Sequence, residues 1–230
     1  MTNALLDVVV PAAGVGRRMG ADIPKQYLKI SDNLCILELT LQKLLSCPCC
    51  GEIYAAVSVD DPFFANLEVS HNPRVHRVSG GVERQDSVLS GLLHCNTEWV
   101  LVHDAARPLV RSSDIEKLAD FCLTHGHGAI LAAPAADTLK LCSTDGTIEE
   151  TLPRQRIFRA QTPQCFEREL LIKSLQQARQ EGRQVTDEAS AMELYRHKCS
   201  IVCGHDDNFK ITTKEDLLTA SAVLKYAMQS

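Results

Sequence analysis

The sequence predicts an α/β fold: a mostly parallel twisted sheet with helices on both faces, interrupted once by a β-hairpin. Three observations carry that expectation. Short apolar runs recur without polar alternation, as strands buried on both faces require. Between them lie segments whose apolar residues follow helical spacing. One stretch, residues 137–154, breaks this rhythm with two extended runs around Asp145-Gly146, a strong hairpin turn signal.

In chain order, the nearly continuous apolar run Leu5–Pro11 reads as the first buried strand. Residues 35–45 carry Ile36, Leu37, Leu41 and Leu44 at helical spacing. Residues 53–59 form a second strand, closed by Asp60-Asp61-Pro62, and residues 75–81 a short third. Residues 83–93 place Val88, Leu89, Leu92 and Leu93 on one helical face, and residues 99–105 make a strand that ends in polar residues. Ser113 and Glu116 have the spacing of a capping box, opening a helix with Ile115, Leu118, Ala119 and Cys122. The strand at 129–134 precedes the hairpin. After it come helices at 167–182 and 186–198, a strand at 199–204, and a last amphipathic helix capped around Thr212-Thr213-Lys214-Glu215. Alternating strands and helices give βαβ units, hence a Rossmann-like sheet whose ligands lie beyond the carboxyl ends of the strands. The 230 residues are expected to form one domain, 1–230, with the hairpin as an excursion.

Composition narrows the function. Hydrophobic residues make up 45% and charged residues 23%, with a net charge of −5. A net-negative chain is a poor general polyanion binder, which argues against nucleic acid and leaves anion sites to local clusters. No apolar stretch approaches the length of a membrane span. The N-terminus lacks a basic region and a small-residue cleavage site, so no secretory signal is read. Ten cysteines in a chain of this length are expected to be reduced, in the cytoplasm, rather than a disulfide framework. The run Cys47-Pro48-Cys49-Cys50 invites a zinc reading, but no second Cys/His pair stands at finger or ribbon spacing. These thiols too are expected to be buried or loop thiols.

Four constellations could carry chemistry. In "PAAGVGRRMG", Gly14 and Gly16 follow a strand and allow close backbone approach, while Arg17, Arg18 and Lys25 add positive charge. A Walker A loop is excluded because Gly-Lys-Ser/Thr is absent. A dinucleotide fingerprint needs an acidic strand end about 20 residues on, and Asp32 sits in a turn instead. A triphosphate under attack suits the cations best, since charge develops on the leaving pyrophosphate; a solvated turn is the bland alternative. In "VHDAARP", Asp104 ends a strand and could hold Mg²⁺ beside phosphates, or cap the turn; His103 is read as structural, because a phosphate nucleophile needs no base. In "GGVERQDSV", Gly80, Gly81 and Ser87 could approach a base or ribose, or simply turn the chain. In "HDDNFKIT", Asp207 and Lys210 could face an anion and its metal, or lie in a solvated loop.

Six motifs, "PAAGVGRRMG…PKQYL", "GGVERQDSV", "VHDAARP", "QTPQCF", "TDEASAME" and "DNFKIT", stand in the order and spacing of the 2-C-methyl-D-erythritol 4-phosphate cytidylyltransferases. The sequence resembles that family along nearly all of its length. The resemblance implies transfer of a cytidylyl group from CTP to methylerythritol phosphate, with release of pyrophosphate, in isoprenoid precursor synthesis by the non-mevalonate pathway. A polyol phosphate such as ribitol 5-phosphate is the alternative acceptor; an oxidoreductase or a CTP sensor are alternatives of other classes.

It also implies residue roles. Arg18 and Lys25 would stabilise charge at the α-phosphate. The backbone of Pro11, Ala12, Ala13, Gly14 and Gly16 would hold the triphosphate and the cytosine side, with Gly80, Gly81 and Ser87 at base and ribose. Asp104 would lie beside the metal and the sugar alcohol, with Asp207 as a second candidate for Mg²⁺ or another divalent cation. Arg107, Thr138, Arg154, Lys210, Thr162 and Thr186 would position the methylerythritol phosphate. The hairpin, at about 136–155, resembles an arm exchanged within a homodimer. Val82 departs from the pattern, because family members often carry an acidic residue there; the base contact would then fall to backbone.

Overall fold

The structure is a computed structural model that describes residues 4–14 and 23–227. Its strands are β1 (Leu6–Pro11), β2 (Cys50–Val57), β3 (Val75–Ser79), β4 (Trp99–Val102), β5 (Gly128–Pro134), β6 (Lys140–Cys142), β7 (Ile148–Thr151), β8 (Phe158–Glu167) and β9 (Cys199–Cys203). Its helices are α1 (Ile36–Ser46), α2 (Arg84–Leu92), α3 (Ser112–His125), α4 (Arg168–Gln180), α5 (Glu188–Leu194) and α6 (Lys214–Ala227). Seven strands form one sheet in the order β3-β2-β1-β4-β8-β5-β9. The pairs β1–β2, β1–β4, β2–β3 and β5–β9 are parallel.

The unbroken apolar run of β1 has a direct cause. Side chains alternate faces along a strand. Val8 and Val10 pack into one core with Leu37, Leu41 and Leu44 of α1 and Ile115 and Leu118 of α3. Val9, between them, packs on the opposite face with Val88 and Leu92 of α2 and Leu171 and Leu175 of α4. Each fully buried aliphatic side chain contributes about 1.5–3 kcal/mol, so a polar residue at any of these three positions would be costly. Helix α1 is also covered on a second side, where Ile36 and Leu39 meet Ile211 and Ala220.

One strand was not expected. β8 runs antiparallel between β4 and β5, in the middle of the sheet. Its sequence, FRAQTPQCFE, has no apolar run, and a proline normally marks an edge strand. Pro163 is tolerated because its missing N–H falls where no ladder bond is required. β4 ends at Val102, opposite Gln164, and the register with β5 slips between Ile130 and Ala132.

Two caps differ from expectation in detail. Helix α3 starts at Ser112, with Arg111 at the cap position and no side-chain cap bond, ahead of the expected Ser113 cap; Asp114 Oδ2 in its first turn accepts from the backbone N–H of His205 at 3.0 Å. At α6, the carboxylate that answers Thr213 is Asp216 rather than Glu215. Thr213 Oγ1 accepts from the Asp216 N–H at 3.2 Å, and Asp216 Oδ2 accepts from the Thr213 N–H at 2.9 Å. The hairpin forms as the two-stranded ribbon β6–β7. Gly146 supplies the positive φ of its turn, +87°, a conformation only glycine adopts without strain. Asp145 Oδ1 closes the turn by accepting from the Thr147 N–H at 3.0 Å. Among the described residues, no helix is long and apolar enough to cross a membrane.

Candidate functional site

β1 and β4 run parallel and end at the same edge of the sheet, and beyond that edge lies a cleft with two lobes. The first lobe is walled by Pro11, Ala12, Ala13 and Gly14 on one side and by Gly81, Val82, Glu83 and Ser87 on the other, with Lys25 and Gln26 between them. The second lies against Arg107, Ala160, Thr162, Gln164 and Thr186. Arg84, Asp104 and Lys210 belong to both lobes and form the wall between them.

That wall is an ion cluster. Asp104 Oδ1 accepts from Arg84 Nε at 3.2 Å; Oδ2 accepts from Arg107 Nε at 3.2 Å and Lys210 Nζ at 3.1 Å. Arg84 also grips Glu188 with both terminal nitrogens, at 2.6 and 3.1 Å, the bidentate fork that makes Arg–carboxylate pairs strong. Burial opposes the charge on Asp104, but Arg84, Lys210 and Arg107 outweigh it and hold the carboxyl well below the usual range. For Arg84, burial is likewise outweighed by Glu188 and Asp104, which raise its pKa. For Arg107 burial wins and lowers it. Three cations meet two carboxylates here, and Lys25 lines the same cleft, its ammonium donating to the Ile211 carbonyl at 3.0 Å. Within the cluster itself the excess is positive, which suits polyanions, while Glu83 and Asp187 add carboxylates to the outer lining of the two lobes.

A second network sets the backbone of the wall. The N–H of Asp104 donates to Thr162 Oγ1 at 2.9 Å. Thr162 Oγ1 stands 3.0 Å from His103 Nδ1, and His103 Nε2 stands 3.1 Å from the Arg107 carbonyl. Because the carbonyl can only accept, Nε2 carries the proton and Nδ1 accepts from the hydroxyl. Burial pushes His103 down to about 4, so the ring is neutral and fully bonded, as a structural histidine should be. Thr162→Val removes the acceptor for one group and the donor for the other. It is expected to cost about 2–3 kcal/mol, read as a lower urea midpoint, with Thr162→Ser restoring most of it.

The glycines do mechanical work. A Cβ on Gly80 would stand 2.4 Å from the Ala13 Cβ, so glycine lets the two walls of the first lobe approach. Ser87 Oγ accepts from the Gly81 N–H at 3.0 Å and donates to the Glu83 carbonyl at 3.3 Å, which clamps the turn before α2. Val82 is fully exposed at the cleft's rim.

The remaining expected residues separate into groups. Gly16 and Arg18 lie outside the described residues. Thr186 lines the second lobe, its N–H donating to Ser190 Oγ at 3.0 Å. Arg107 turns inward, donating to the carbonyls of Asn208 at 2.8 Å and Ala160 at 3.3 Å. Asp207 does not join Asp104; its carboxylate pairs with Arg111 in a different groove. Thr138 and Arg154 line neither lobe of their own chain, and Arg154 donates to the Ala136 carbonyl at the base of the ribbon. Arg84 and Glu188 were not singled out from the sequence. Both stand inside quoted motifs, but a pair so far apart in sequence gives no local signal. Glu188 opens α5, an ordinary place for an acidic residue, and only its 1% exposure in the fold marks it as part of the site.

The whole chain can be set beside known proteins. The family model described as 2-C-methyl-D-erythritol 4-phosphate cytidylyltransferase matches residues 6–226. A protein of that name from Vibrio atlanticus is 52% identical over 221 residues, 94% of each chain. The solved structure of the Francisella tularensis cytidylyltransferase of the same name superposes with a TM-score of 0.81 at 34% identity, covering 95% of this chain and 99% of that one. A 4-diphosphocytidyl-2C-methyl-D-erythritol synthase from Anaerococcus prevotii superposes with a TM-score of 0.84 at 25% identity over 97% of each chain. With a match that runs through every strand of the sheet and both lobes of the cleft, this chain belongs to the 2-C-methyl-D-erythritol 4-phosphate cytidylyltransferase family.

Proposed function

We propose that the chain transfers a cytidylyl group from CTP to 2-C-methyl-D-erythritol 4-phosphate, giving 4-diphosphocytidyl-2-C-methyl-D-erythritol and pyrophosphate. The observation that carries this reading is the shared wall: one cationic cluster, Arg84 and Lys210 around Asp104, faces two adjoining lobes. A reaction that joins two phosphates needs such a geometry. CTP occupies the first lobe, its triphosphate along the backbone of Pro11–Gly14 and beside Lys25. The acceptor phosphate occupies the second, near Lys210 and Thr186.

A phosphate oxygen of the acceptor attacks the α-phosphorus of CTP in line. A P–O bond forms, the bond to the β-phosphate's bridging oxygen breaks, and pyrophosphate departs with that electron pair. No proton must move, so the neutral, fully bonded His103 is a bystander. The main obstacle is repulsion between two anions, and the work of the residues is neutralisation and alignment. Arg18 and Lys25 stabilise charge at the α-phosphate and the leaving group. Gly16, outside the described residues, is assigned to the triphosphate with Pro11–Gly14; Gly80, Gly81 and Ser87 are assigned to the base and ribose side.

The described residues do not build a Mg²⁺ site of their own. Both oxygens of Asp104 are taken by cations, and Asp207 serves Arg111. Divalent metal enters as part of the nucleotide, as Mg·CTP. The exposed ribbon, with Leu141 and Ile148 uncovered at 46% and 60%, is assigned to a homodimer in which Thr138 and Arg154 serve the acceptor phosphate, whereas Arg107, bound to Asp104 and to two carbonyls of its own chain, shapes the second lobe from within. The ten thiols, all free, support a reducing cytoplasm.

Pyrophosphate release tests the reading. With Mg·CTP, methylerythritol phosphate is expected to support turnover and ribitol 5-phosphate about 10–100-fold less, the discrimination available against an acceptor that lacks the branch methyl and carries an extra hydroxyl. Equal rates would reassign the acceptor, and CTP binding without pyrophosphate release would make the chain a sensor.

A further inference from the structure

At the opposite edge of the sheet from the cleft, three thiols converge. Cys47 follows the last residue of α1, Cys50 opens β2, and Pro48-Cys49 make the turn between them, closed by the Cys50 N–H donating to the Cys47 carbonyl at 3.2 Å. The sulfurs of Cys47, Cys49 and Cys50 all lie within 4.8 Å of one another, and those of Cys47 and Cys49 are 3.5 Å apart. We propose that these three sulfurs form a Zn²⁺ site that ties the end of α1 to the start of β2.

The geometry is that of a ligand set. Two sulfurs bound to one tetrahedral Zn²⁺ at about 2.3 Å stand about 3.8 Å apart, and the cluster brackets that spacing with no large movement. Cys47 and Cys50 have C-x₂-C spacing, a common zinc hairpin spacing. The backbone is already fixed: the Leu6 N–H donates to the Cys49 carbonyl at 2.9 Å, and Arg74 donates to the carbonyls of Cys50, Gly51 (2.9 Å) and Leu45 (3.3 Å). Cys47 and Cys50 are buried to 1% while Cys49 is half-buried, so the cluster has two inner ligands and one at the surface through which an ion enters. On binding, three S–H protons are released to solvent and three Zn–S bonds form. The resulting centre carries one net negative charge, with Arg74 held on the Cys50 carbonyl and Glu116 facing Cys49, and a water completes the tetrahedron. Soft thiolates exclude Mg²⁺ from this site and favour Zn²⁺. It is separate from catalysis. Cys50 pairs with Leu6 at one end of β1 and Pro11 lines the cleft at the other, about 17 Å away along the strand.

Co²⁺ is the probe, added to the reduced full-length protein with Mg²⁺ in excess. One equivalent is expected to raise a thiolate-to-cobalt charge-transfer band in the near ultraviolet, and one equivalent of Zn²⁺ to abolish it. Cys49→Ser, at the half-buried position, is expected to weaken binding about 100-fold or more; Cys142→Ser, on the exposed ribbon, is expected to leave it unchanged. Zn²⁺ should raise the thermal midpoint of the wild-type chain and not that of Cys49→Ser. Absence of the charge-transfer band from the wild-type protein overturns the proposal, whatever the variants do. So does a Cys49→Ser protein, folded by circular dichroism, that binds Co²⁺ with wild-type affinity.

Discussion

Lys25→Ala is expected to lower kcat about 10²–10³-fold, or about 3–4 kcal/mol of barrier, the effect of removing one preorganised donor from a site that stabilises developing charge. CTP's KM should move much less. Lys25 sits in the short 3₁₀ turn Lys25–Tyr27 and lines the first lobe, its ammonium donating to the Ile211 carbonyl, next in sequence to Lys210. In the proposed binding mode a cation held there meets the triphosphate in the ground state, and the charge it faces grows as the bond to pyrophosphate breaks. The split between the two constants decides the role. A loss confined to KM would mean that Lys25 only binds ground-state phosphate. Lys25→Arg is expected to recover part of the rate, because the charge is kept while the compact ammonium is exchanged for a planar fork. Arg18→Ala, at a position outside the described residues, is expected to behave like Lys25→Ala.

Much of this architecture is legible in the sequence for specific physical reasons. β1 announces itself because both of its faces are buried, which forces apolar residues at every position from Val8 to Val10. The ribbon announces itself through Asp145-Gly146, since its turn needs a residue that accepts positive φ. β8 does not, because its fit depends on where β4 stops and where β5 slips, facts of tertiary register that no local pattern records. The site divides in the same way. Asp104, Lys25 and Lys210 stand at strand ends or in polar loops, where charge is noticeable. Arg84 and Glu188 each open a helix, α2 and α5, where a charged residue is ordinary, and only their bidentate contact reveals them. Asp207, the weaker metal candidate in the sequence because it stands in a polar loop, is turned to Arg111 by the loop after β9. Three thiols within four residues were visible from the start, but their convergence on one point was not.

Asp104→Asn is expected to cost about 3–5 kcal/mol of stability at neutral pH, the usual effect of removing one partner from a buried ion cluster, because Arg84, Arg107 and Lys210 lose the charge that all three share. The pH dependence identifies the cause. The folded-state pKa of Asp104 is depressed by those cations, so its contribution is fully present above the unfolded value of about 3.9 and is lost as the pH falls below it. The gap between wild-type and Asn urea midpoints should therefore stay constant from pH 8 to about 5 and narrow only in more acid solution. His103 supplies a separate acid loss in both proteins. Its folded pKa of about 4 lies below the ordinary 6.5, so the unfolded chain takes up that proton first and stability falls between those two values. A gap that already narrows at pH 6 would mean that the cations do not hold Asp104 as the geometry requires. They could not then be counted on to wait, oriented and close-packed, for two incoming phosphates, which is the function the same cluster is assigned.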